Sequence, residues 1–390
     1  MNVIEKKKIV VLGMMTQHIV AGHVWAVIHY LVGLRRLGYD VYYIEAHGAS
    51  PNSFFKHDDD DGWDYAAHFI SGIMNRFEFG DRWAYHDLDH DRYYGLSEQQ
   101  VKQVYSSAAL LINMHGGTVP LPEHSATGRL VFIDTDPGEL QVKLGRGDPV
   151  ATARLSAHSG WFTYAENYGA PDCLLPVSEQ FTFKPMRAPL LLDFWEPYRT
   201  RPQLRFTTIG SWKQLDHEIS FNGQTYLWSK HHEFLKFFDL PSQTTQEFEL
   251  ALGKCKMDDW ELIEAAGWHP RRALAFSGDL DAYRRFLTSS RGEFTVAKGQ
   301  YVHLRTGWFS NRSNCYLAAG LPVITQETGF SNILPTGQGL FGFSTMEDIL
   351  GAVDTINGDY EQHCAAALEL AREFFSYDIV LPRMLMEMGL

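Results

Sequence analysis

The sequence lacks the features that mark several protein classes. No apolar run among its 390 residues reaches the roughly 18 residues of a membrane-spanning helix. The apolar segment 9–15 is too short for a secretory signal, and no small-residue cleavage site follows it. Paired cysteines are also missing, so neither a zinc site nor a disulfide framework is predicted for Cys173, Cys255, Cys315 and Cys364. We therefore expect a cytoplasmic protein with free thiols and no membrane span.

Basic residues are scarce as well. The 34 Lys and Arg residues are outnumbered by 47 Asp and Glu residues, which gives a net charge of −13. Nucleic acids are bound through clustered Lys and Arg side chains, and peripheral membrane helices carry a basic face. The charge therefore favours a small-molecule partner, and we expect no nucleic-acid partner.

Segment 51–100 is rich in Asp, His and aromatic residues, as in "HDDDDGWDY" (57–65) and "DRWAYHDLDHDRYYGLS" (81–97). A metal cluster and a solvated loop region with helical pieces are two interpretations of this composition. Runs of carboxylates are more often solvated, and no ligand periodicity is present. We favour the solvated region and predict no metal.

The clearest structural pattern lies in the first fifty residues. "KIVVLGMM" (8–15) has the β-branched character of a buried parallel strand. A helix is predicted over about 22–37, where Gly38 ends it, and a second strand follows over 40–46. This is a βαβ unit whose first loop lies at the carboxyl edge of a sheet, where α/β folds bind ligands. It lacks the GxGxxG fingerprint of a dinucleotide site.

Similar units fill the rest of the chain. Further strands are predicted at 108–117, 128–138, 160–169, 205–212, 246–253, 292–298 and 320–327, with helices at 279–290, 345–356 and 360–376. The stretch Phe183–Gln203 contains four prolines and no regular period, as expected of a linker. The predicted fold class is α/β with two Rossmann-like domains facing each other across a cleft. Their bounds are 1–185, a linker 186–203 and 204–372, with a helix in 373–390 packing back on the first domain.

A known superfamily shares the C-terminal pattern. "YLAAGLPVI" (316–324), "TGF" (328–330) and "LPTGQGLFGF" (334–343) resemble the donor-site region of GT-B nucleotide-sugar glycosyltransferases. Together with the first βαβ unit, they are similar to a bacterial group of predicted glycosyltransferases. The resemblance implies that the N-terminal half takes the acceptor and the C-terminal half takes the donor nucleotide.

One motif of that superfamily is missing. Many retaining members carry two glutamates eight residues apart, and counting back from Gly320 places those positions at Gly307 and Cys315. The resemblance therefore assigns no sugar contact to these positions and no stereochemical outcome to the reaction.

Two segments are predicted to hold the donor diphosphate. A helix N-terminus attracts phosphate, and polar residues stand where the helix before Gly320 begins: Ser310, Asn311, Arg312, Ser313 and Asn314. Arg312 is expected to clamp two phosphate oxygens, although a capping serine and a surface arginine would give the same pattern. The loop after strand 205–212 offers Gly210, Ser211 and Lys213, and the resemblance adds Thr328 and Gly329. Lys230, Lys298 and Arg305 are further candidates by charge.

Four residues in the N-terminal half are candidates for catalysis. Many inverting GT-B enzymes carry Gly-His at the first loop, and here fifteen residues separate His23 from Gly38, a spacing similar to theirs. A histidine titrates near neutral pH and is suited to take a proton from an acceptor hydroxyl. Three alternatives at predicted strand ends are His115, Asp134 and Asp136.

Together with these patterns, the resemblance implies a metal-independent glycosyltransferase. It would transfer a sugar from a nucleoside diphosphate donor to a hydroxyl of a small-molecule acceptor, with no cofactor beyond the nucleotide sugar. A sugar-nucleotide epimerase on the same fold and a non-catalytic two-domain ligand-binding protein are the alternatives.

Overall fold

Two mainly parallel sheets flanked by helices, and a short separate hairpin, make up the described part of the protein. The computed structural model describes residues 6–17, 19–48, 62–200, 204–214 and 218–390. None of the helices in these ranges combines the length and the apolar character that crossing a bilayer requires.

The N-terminal sheet contains eight strands in the order β4-β3-β2-β1-β5-β6-β7-β8. Every neighbouring pair is parallel except β3 and β4 at one edge. The strands are β1 (Lys8–Leu12), β2 (Asp40–His47), β3 (Trp83–Asp87), β4 (Arg92–Gly95), β5 (Ala108–Met114), β6 (Leu130–Asp134), β7 (Gly160–Thr163) and β8 (Phe183–Pro185). The helices of this half are α1 (Ala21–Arg36), α2 (Gly62–Arg76), α3 (Glu98–Ser107), α4 (Pro122–Ser125), α5 (Glu139–Gly145) and α6 (Pro149–Ser156).

The C-terminal sheet contains six parallel strands in the order β13-β12-β9-β14-β15-β16, and a separate hairpin is formed by β10 and β11. The strands are β9 (Arg205–Gly210), β10 (Ile219–Phe221), β11 (Gln224–Tyr226), β12 (Glu247–Leu252), β13 (His269–Arg272), β14 (Gly292–Thr295), β15 (Val323–Gln326) and β16 (Leu340–Phe343). The helices are α7 (His231–Leu235), α8 (Leu240–Gln243), α9 (Met257–Ala265), α10 (Leu280–Thr288), α11 (Gly299–His303), α12 (Asn311–Ala318), α13 (Met346–Gly358), α14 (Tyr360–Leu370) and α15 (Tyr377–Glu387).

The predicted α/β class with two Rossmann-like units is confirmed by this topology. In each sheet the chain adds strands outward from a central strand on one side and then restarts on its other side. The two reversals lie between β1 and β5 and between β9 and β14. Ligands of open α/β sheets bind at the carboxyl end of such a reversal, so the fold marks one position in each half.

The segment that joins the halves is packed tightly against them. Two short 3₁₀ turns lie at Leu192–Phe194 and Glu196–Tyr198, and Trp195 between them is fully buried. The indole Nε1 of Trp195 donates to His29 Nε2 at 3.2 Å. The linker is therefore part of the core, because its aromatic residues fill the space beside α1.

The end of the chain returns to the N-terminal half. The helix predicted over 360–376 becomes a π-helical turn at Ala371–Phe375, and α15 follows after Ser376. Leu381 of α15 lies against Gly33 of α1, where the missing side chain lets the two helices approach closely. Because α14 packs on the C-terminal half, this segment links both halves.

Candidate functional site

A cleft of about 1090 Å³ opens between the carboxyl edges of the two sheets. Residues of both halves line it, including the loops that follow β1 and β5 on one wall and the loop that follows β9 on the other. Both topological reversals therefore open into the same space, because the two sheets present their carboxyl ends to each other.

Two histidines meet on the N-terminal wall. His23 is the third residue of α1, and its ring centroid lies 4.7 Å from that of His115, which follows β5. His115 adopts a positive φ of 58°, an uncommon conformation for a residue with a side chain, and its Nδ1 shares a hydrogen bond with Thr135 Oγ1. The structure thus brings two of the predicted catalytic candidates into contact on the cleft wall.

Asp134 lies at the end of β6 next to this pair. Its Oδ2 accepts hydrogen bonds from Gln141 Nε2 at 2.6 Å and Thr163 Oγ1 at 3.0 Å. Burial raises the pKa of Asp134 to about 6, and the hydrogen bond from Gln141 opposes that rise. A carboxyl group with such a pKa exchanges protons near neutral pH, as a general base does.

Asp136, the fourth candidate for catalysis, is engaged in an ion pair. Its Oδ2 forms an ion pair with Lys298 Nζ at 2.7 Å, across the cleft from the C-terminal half. The ammonium group also lies 3.0 Å from the ring centroid of Trp228. Burial lowers the pKa of Lys298, and Asp136 opposes this shift. In this structure Asp136 acts as a bridge between the two halves.

The loop after β9 supplies Gly210, Ser211 and Lys213 to the opposite wall, as the sequence predicted for its position. A Cβ atom added at Gly210 would meet no atom within 4 Å, so the backbone there is open to the cleft. Lys213 Nζ forms an ion pair with Asp259 Oδ1 at 2.6 Å. The lysine is nevertheless 43% exposed, which leaves it accessible from the cleft.

The start of α12 forms the adjoining part of this wall. Ser310 caps the helix by accepting a hydrogen bond from the backbone N–H of Arg312. Four residues of this segment line the cleft: Ser310, Asn311, Arg312 and Asn314. Two buried polar atoms of the lining, Asn314 Oδ1 and Tyr301 Oη, have no hydrogen-bond partner among the described residues. Buried polar atoms are normally paired, so these two atoms are suited to contact a ligand.

A phosphate clamp would require the guanidinium of Arg312 to point into the cleft, and it does not. It turns into the protein, where Nε donates to Glu293 Oε1 at 2.5 Å and Nη1 donates to the carbonyl of Ile209 at 2.7 Å. Its Nη2 donates to Thr295 Oγ1 at 2.9 Å. Burial opposes the charge and Glu293 supports it, and the pKa of Arg312 is raised on balance. The side chain is therefore a fixed cation behind the helix start.

Three further donor candidates lie behind the cleft wall. Ser313 is fully buried, and neither it nor Thr328 nor Gly329 is part of the lining. Thr328 Oγ1 donates to the carbonyl of Trp308 at 2.7 Å, and Gly329 takes a positive φ of 95°. Thr328 therefore supports the loop before α12, and none of the three residues lines the cleft in this structure.

Several lining residues were not singled out from the sequence. Tyr283 lies on α10, and Trp228 and Trp308 lie in loops. From a sequence alone, such aromatic residues are predicted to be core residues, because only the fold shows that they reach a cleft. The other charge candidates are engaged elsewhere: Arg305 Nε pairs with Asp172 at 2.8 Å, and Lys230 Nζ lies 6.0 Å from the centroid of the Trp308 ring.

The described ranges contain no group of three His, Cys, Asp or Glu side chains that could hold a metal ion. The whole "HDDDD" run (57–61) falls outside those ranges, as does His18. His29 is buried beside Trp195, and burial lowers the pKa of its imidazole to about 3. It therefore stays neutral and belongs to the core.

Comparison with known proteins establishes the fold. No protein-family model matches the chain, and no curated protein sequence matches it. Solved structures match over nearly its whole length. An alpha-glucosyltransferase (AGT) in complex with UDP superposes with a TM-score of 0.59 at 10% identity, over 98% of this chain and 100% of that chain.

Two bacterial structures give the same result. HepE of Anabaena, in complex with UDP and glucose, has a TM-score of 0.55 at 11% identity, over 98% of this chain and 99% of its own. The pneumococcal O-GlcNAc transferase GtfA, in complex with UDP and GlcNAc, has a TM-score of 0.51 at 10% identity, over 99% of both chains. The chain has the GT-B fold, as the sequence resemblance predicted.

Proposed function

We propose that the protein is a glycosyltransferase that uses a nucleoside diphosphate sugar as donor. The observation that carries this proposal is the cleft, into which both topological reversals of a GT-B fold open. Similar solved structures hold UDP together with a sugar. We assign the donor to the half formed by 204–372 and the acceptor to the half formed by 1–185, with 186–203 as linker.

The donor diphosphate is placed between the start of α12 and the loop after β9. Unpaired backbone N–H groups and the positive end of the helix dipole favour an anion at Ser310 and Asn311, and the side chain of Asn314 lies on the same part of the wall. Gly210 and Ser211 let the backbone approach the phosphates, and Lys213 adds a mobile charge. Arg312, whose charge is balanced by Glu293, is proposed to hold the helix start in position. Ser313, Thr328 and Gly329 are proposed to hold this wall in shape.

The reaction is one of group transfer to a hydroxyl. The acceptor oxygen forms a bond to the anomeric carbon of the donor, the bond from that carbon to the diphosphate breaks, and His23 takes the hydroxyl proton. His115 contacts the ring of His23 and fixes its position. Asp134 is the alternative base, and Asp136 holds the two walls together through Lys298. We propose that no metal takes part, since the positive charge of the helix start and Lys213 stabilises the leaving diphosphate.

A small molecule is proposed as the acceptor. The AGT structures include one with UDP and a 13-mer DNA, so the fold itself admits a nucleic-acid acceptor. The net charge of −13 disfavours a polyanion for this chain. Each of the four cysteines is a free thiol, which accords with the cytoplasm as the proposed compartment.

Calorimetry with UDP, followed by a coupled assay of UDP release from UDP-glucose and UDP-GlcNAc with a panel of sugar acceptors, tests the proposal. We expect UDP binding, and acceptor-dependent release that persists in EDTA. Activity that EDTA abolishes and Mg²⁺ or Mn²⁺ restores would contradict metal independence. Binding without turnover would identify a ligand-binding protein, and conversion of the donor sugar without acceptor would identify an epimerase.

The role of His23 has its own test. His23→Ala removes a general base, which typically lowers turnover by about 10²–10⁴-fold. We expect UDP affinity to change by less than about twofold, because the nucleotide is assigned to the other half. His269→Ala, on the edge strand β13, is the matched control and keeps full turnover. A loss smaller than about tenfold would transfer the role of base to Asp134 or His115.

A further inference from the structure

The charged side chains of the cleft are nearly all paired. Three lysines of the lining form ion pairs, Lys143 with Glu139 at 2.7 Å, Lys213 with Asp259 at 2.6 Å, and Lys298 with Asp136 at 2.7 Å. The two arginines of the lining differ in this respect. Arg312 is paired with Glu293, whereas Arg154 forms no ion pair or side-chain hydrogen bond with any described residue.

The carboxylates of the cleft are engaged as well. Asp148 stands closest to Arg154 in sequence, but its side chain accepts from the backbone N–H groups of Val150 and Ala151 and caps α6. Asp134 accepts from Gln141 and Thr163, while Asp136 and Glu139 are paired with lysines. Among the described residues, then, no acid of the lining neutralises Arg154.

Arg154 lies beside the proposed catalytic residues. It projects from α6, and a Cβ atom added at Gly116 would lie 2.8 Å from its Nη2. Gly116 directly follows His115, whose ring contacts His23. Partial burial lowers the pKa of Arg154, and no carboxylate contributes to the shift. An arginine that stays charged, exposed and unpaired beside a candidate base is suited to bind an oxyanion in two-point fashion.

We propose that the acceptor carries an oxyanion, a carboxylate or a phosphate monoester, and that Arg154 binds it and so directs the acceptor hydroxyl toward His23. This inference rests on the proposed function. The anion belongs to the acceptor because Arg154 stands on the N-terminal wall, whereas α12 and the loop after β9 stand on the other. Arg154 is then a residue that determines acceptor specificity.

Calorimetric titration with three sugars tests this inference. The probes are methyl β-glucuronide, glucose 6-phosphate and the neutral methyl β-glucoside, each titrated into the full-length protein without UDP and again with saturating UDP. We expect at least one anionic probe to bind about tenfold or more tightly than the neutral one, the usual effect of a charge-assisted hydrogen bond. The preferred anion distinguishes a carboxylate from a phosphate acceptor.

Variants then assign the preference to this side chain. Arg154→Gln is expected to abolish the preference for the anionic probe, Arg154→Lys to keep part of it, and all variants to bind UDP within about twofold of the parent. Arg129→Gln, an exposed arginine of the same half outside the cleft lining, is the control and keeps the preference.

Two results would overturn the inference. The first is a parent protein that shows no preference for either anionic probe, including one that binds neither. The second is an Arg154→Gln protein that keeps the preference but binds UDP more weakly, which would assign Arg154 to the donor. Failure of UDP to bind while the anionic preference is present would contradict the donor assignment and leave the anion site standing.

Discussion

Arg312 and Glu293 form a buried ion pair beneath the start of α12. The side chain of Glu293 is fully buried and that of Arg312 is 14% exposed. Breaking a buried pair from one side leaves an uncompensated charge, which commonly costs about 3–5 kcal/mol, whereas apolar replacement of both partners is often neutral. The pair also fixes the helix start relative to β9, since Arg312 donates to the carbonyl of Ile209.

Arg312→Met is therefore expected to lower the free energy of unfolding by about 3–5 kcal/mol. The double variant Arg312→Met with Glu293→Leu should recover most of that loss, because no unpaired carboxylate remains. Urea unfolding of the parent, both single variants and the double variant measures the coupling between the two residues. Equal stability of the parent and the Arg312→Met protein would show that the ion pair does not stabilise the start of α12.

Asp134 gives the protein a pH dependence with a defined sign. Its pKa is about 6 when folded, whereas an aspartate in an unfolded chain titrates near 3.9. Between about pH 4 and 6 the folded state holds a proton that the unfolded state has released, so stability falls as the pH rises through this window. At neutral pH the ionised, buried carboxylate costs on the order of 2–3 kcal/mol.

Replacing the carboxylate should remove that dependence. Asp134→Asn is expected to lose the part of the slope that Asp134 contributes between about pH 4 and 6, while keeping an acceptor for Gln141 and Thr163. Urea midpoints of both proteins across pH 4–7 give the difference directly, since all other groups cancel. Parallel curves for the two proteins would mean that Asp134 ionises normally.

At the scale of single elements, α1 depends on close contact with α15. A Cβ atom added at Gly33 would lie 2.8 Å from Leu381 Cδ1 and 3.1 Å from Tyr377 Cβ. In α2, by contrast, a Cβ atom added at Gly72 would meet nothing within 4 Å. Both glycines lie inside helices, so alanine brings the same gain in helix propensity at each position. The difference between the stability changes caused by alanine at Gly33 and at Gly72 therefore reports the packing of α1 on α15 alone.

Gly33→Ala is accordingly expected to destabilise the protein by about 1–3 kcal/mol, the usual cost of overpacking. Gly72→Ala should stabilise it by about 0.5–1 kcal/mol through helix propensity. Thermal and urea unfolding of the pair check both signs. If the two substitutions shift stability in the same direction, α15 does not pack on α1 as described.

Elements with a strong local pattern could be predicted from the sequence, and the βαβ unit of β1, α1 and β2 is the clearest example. The hairpin of β10 and β11 could not be predicted in the same way. Ile219 and Tyr226 are buried against Val142 and Leu175 of the other half, so partners distant in sequence decide the conformation. The inward orientation of Arg312 could not be predicted either, because its partner Glu293 lies on a different element, strand β14.

In the candidate site, too, local features could be predicted from the sequence, whereas contacts between distant residues could not. The positions of His23 at a helix start and of His115 and Gly210 at strand ends follow from the order of the elements, which the sequence pattern reveals. Pairing across the cleft, such as Asp136 with Lys298, depends on how the two halves face each other. Arg154 carries no local signal, since its importance lies in the partners it lacks among the described residues.

At the scale of the whole molecule, the two halves share a core. One apolar cluster contains Trp25 and Ile28 of α1 together with Phe276, Leu280 and Phe286 of the C-terminal half. Trp25 Nε1 donates to the carbonyl of Leu280 at 3.3 Å, and the backbone N–H of Ala21 donates to that of Ser277 at 2.7 Å. Helix α1, which carries His23, is therefore held by both halves.

Because this core is continuous, we expect the chain to unfold in one cooperative step, although it contains two sheets. Tryptophans report on both halves, with Trp25 and Trp195 in the shared core and Trp268 behind the C-terminal sheet. Fluorescence and far-ultraviolet circular dichroism should give coincident urea transitions, and saturating UDP should shift both midpoints together. Two separated transitions, with UDP moving only one of them, would show that the halves are independent and that the contacts of α1 do not couple them.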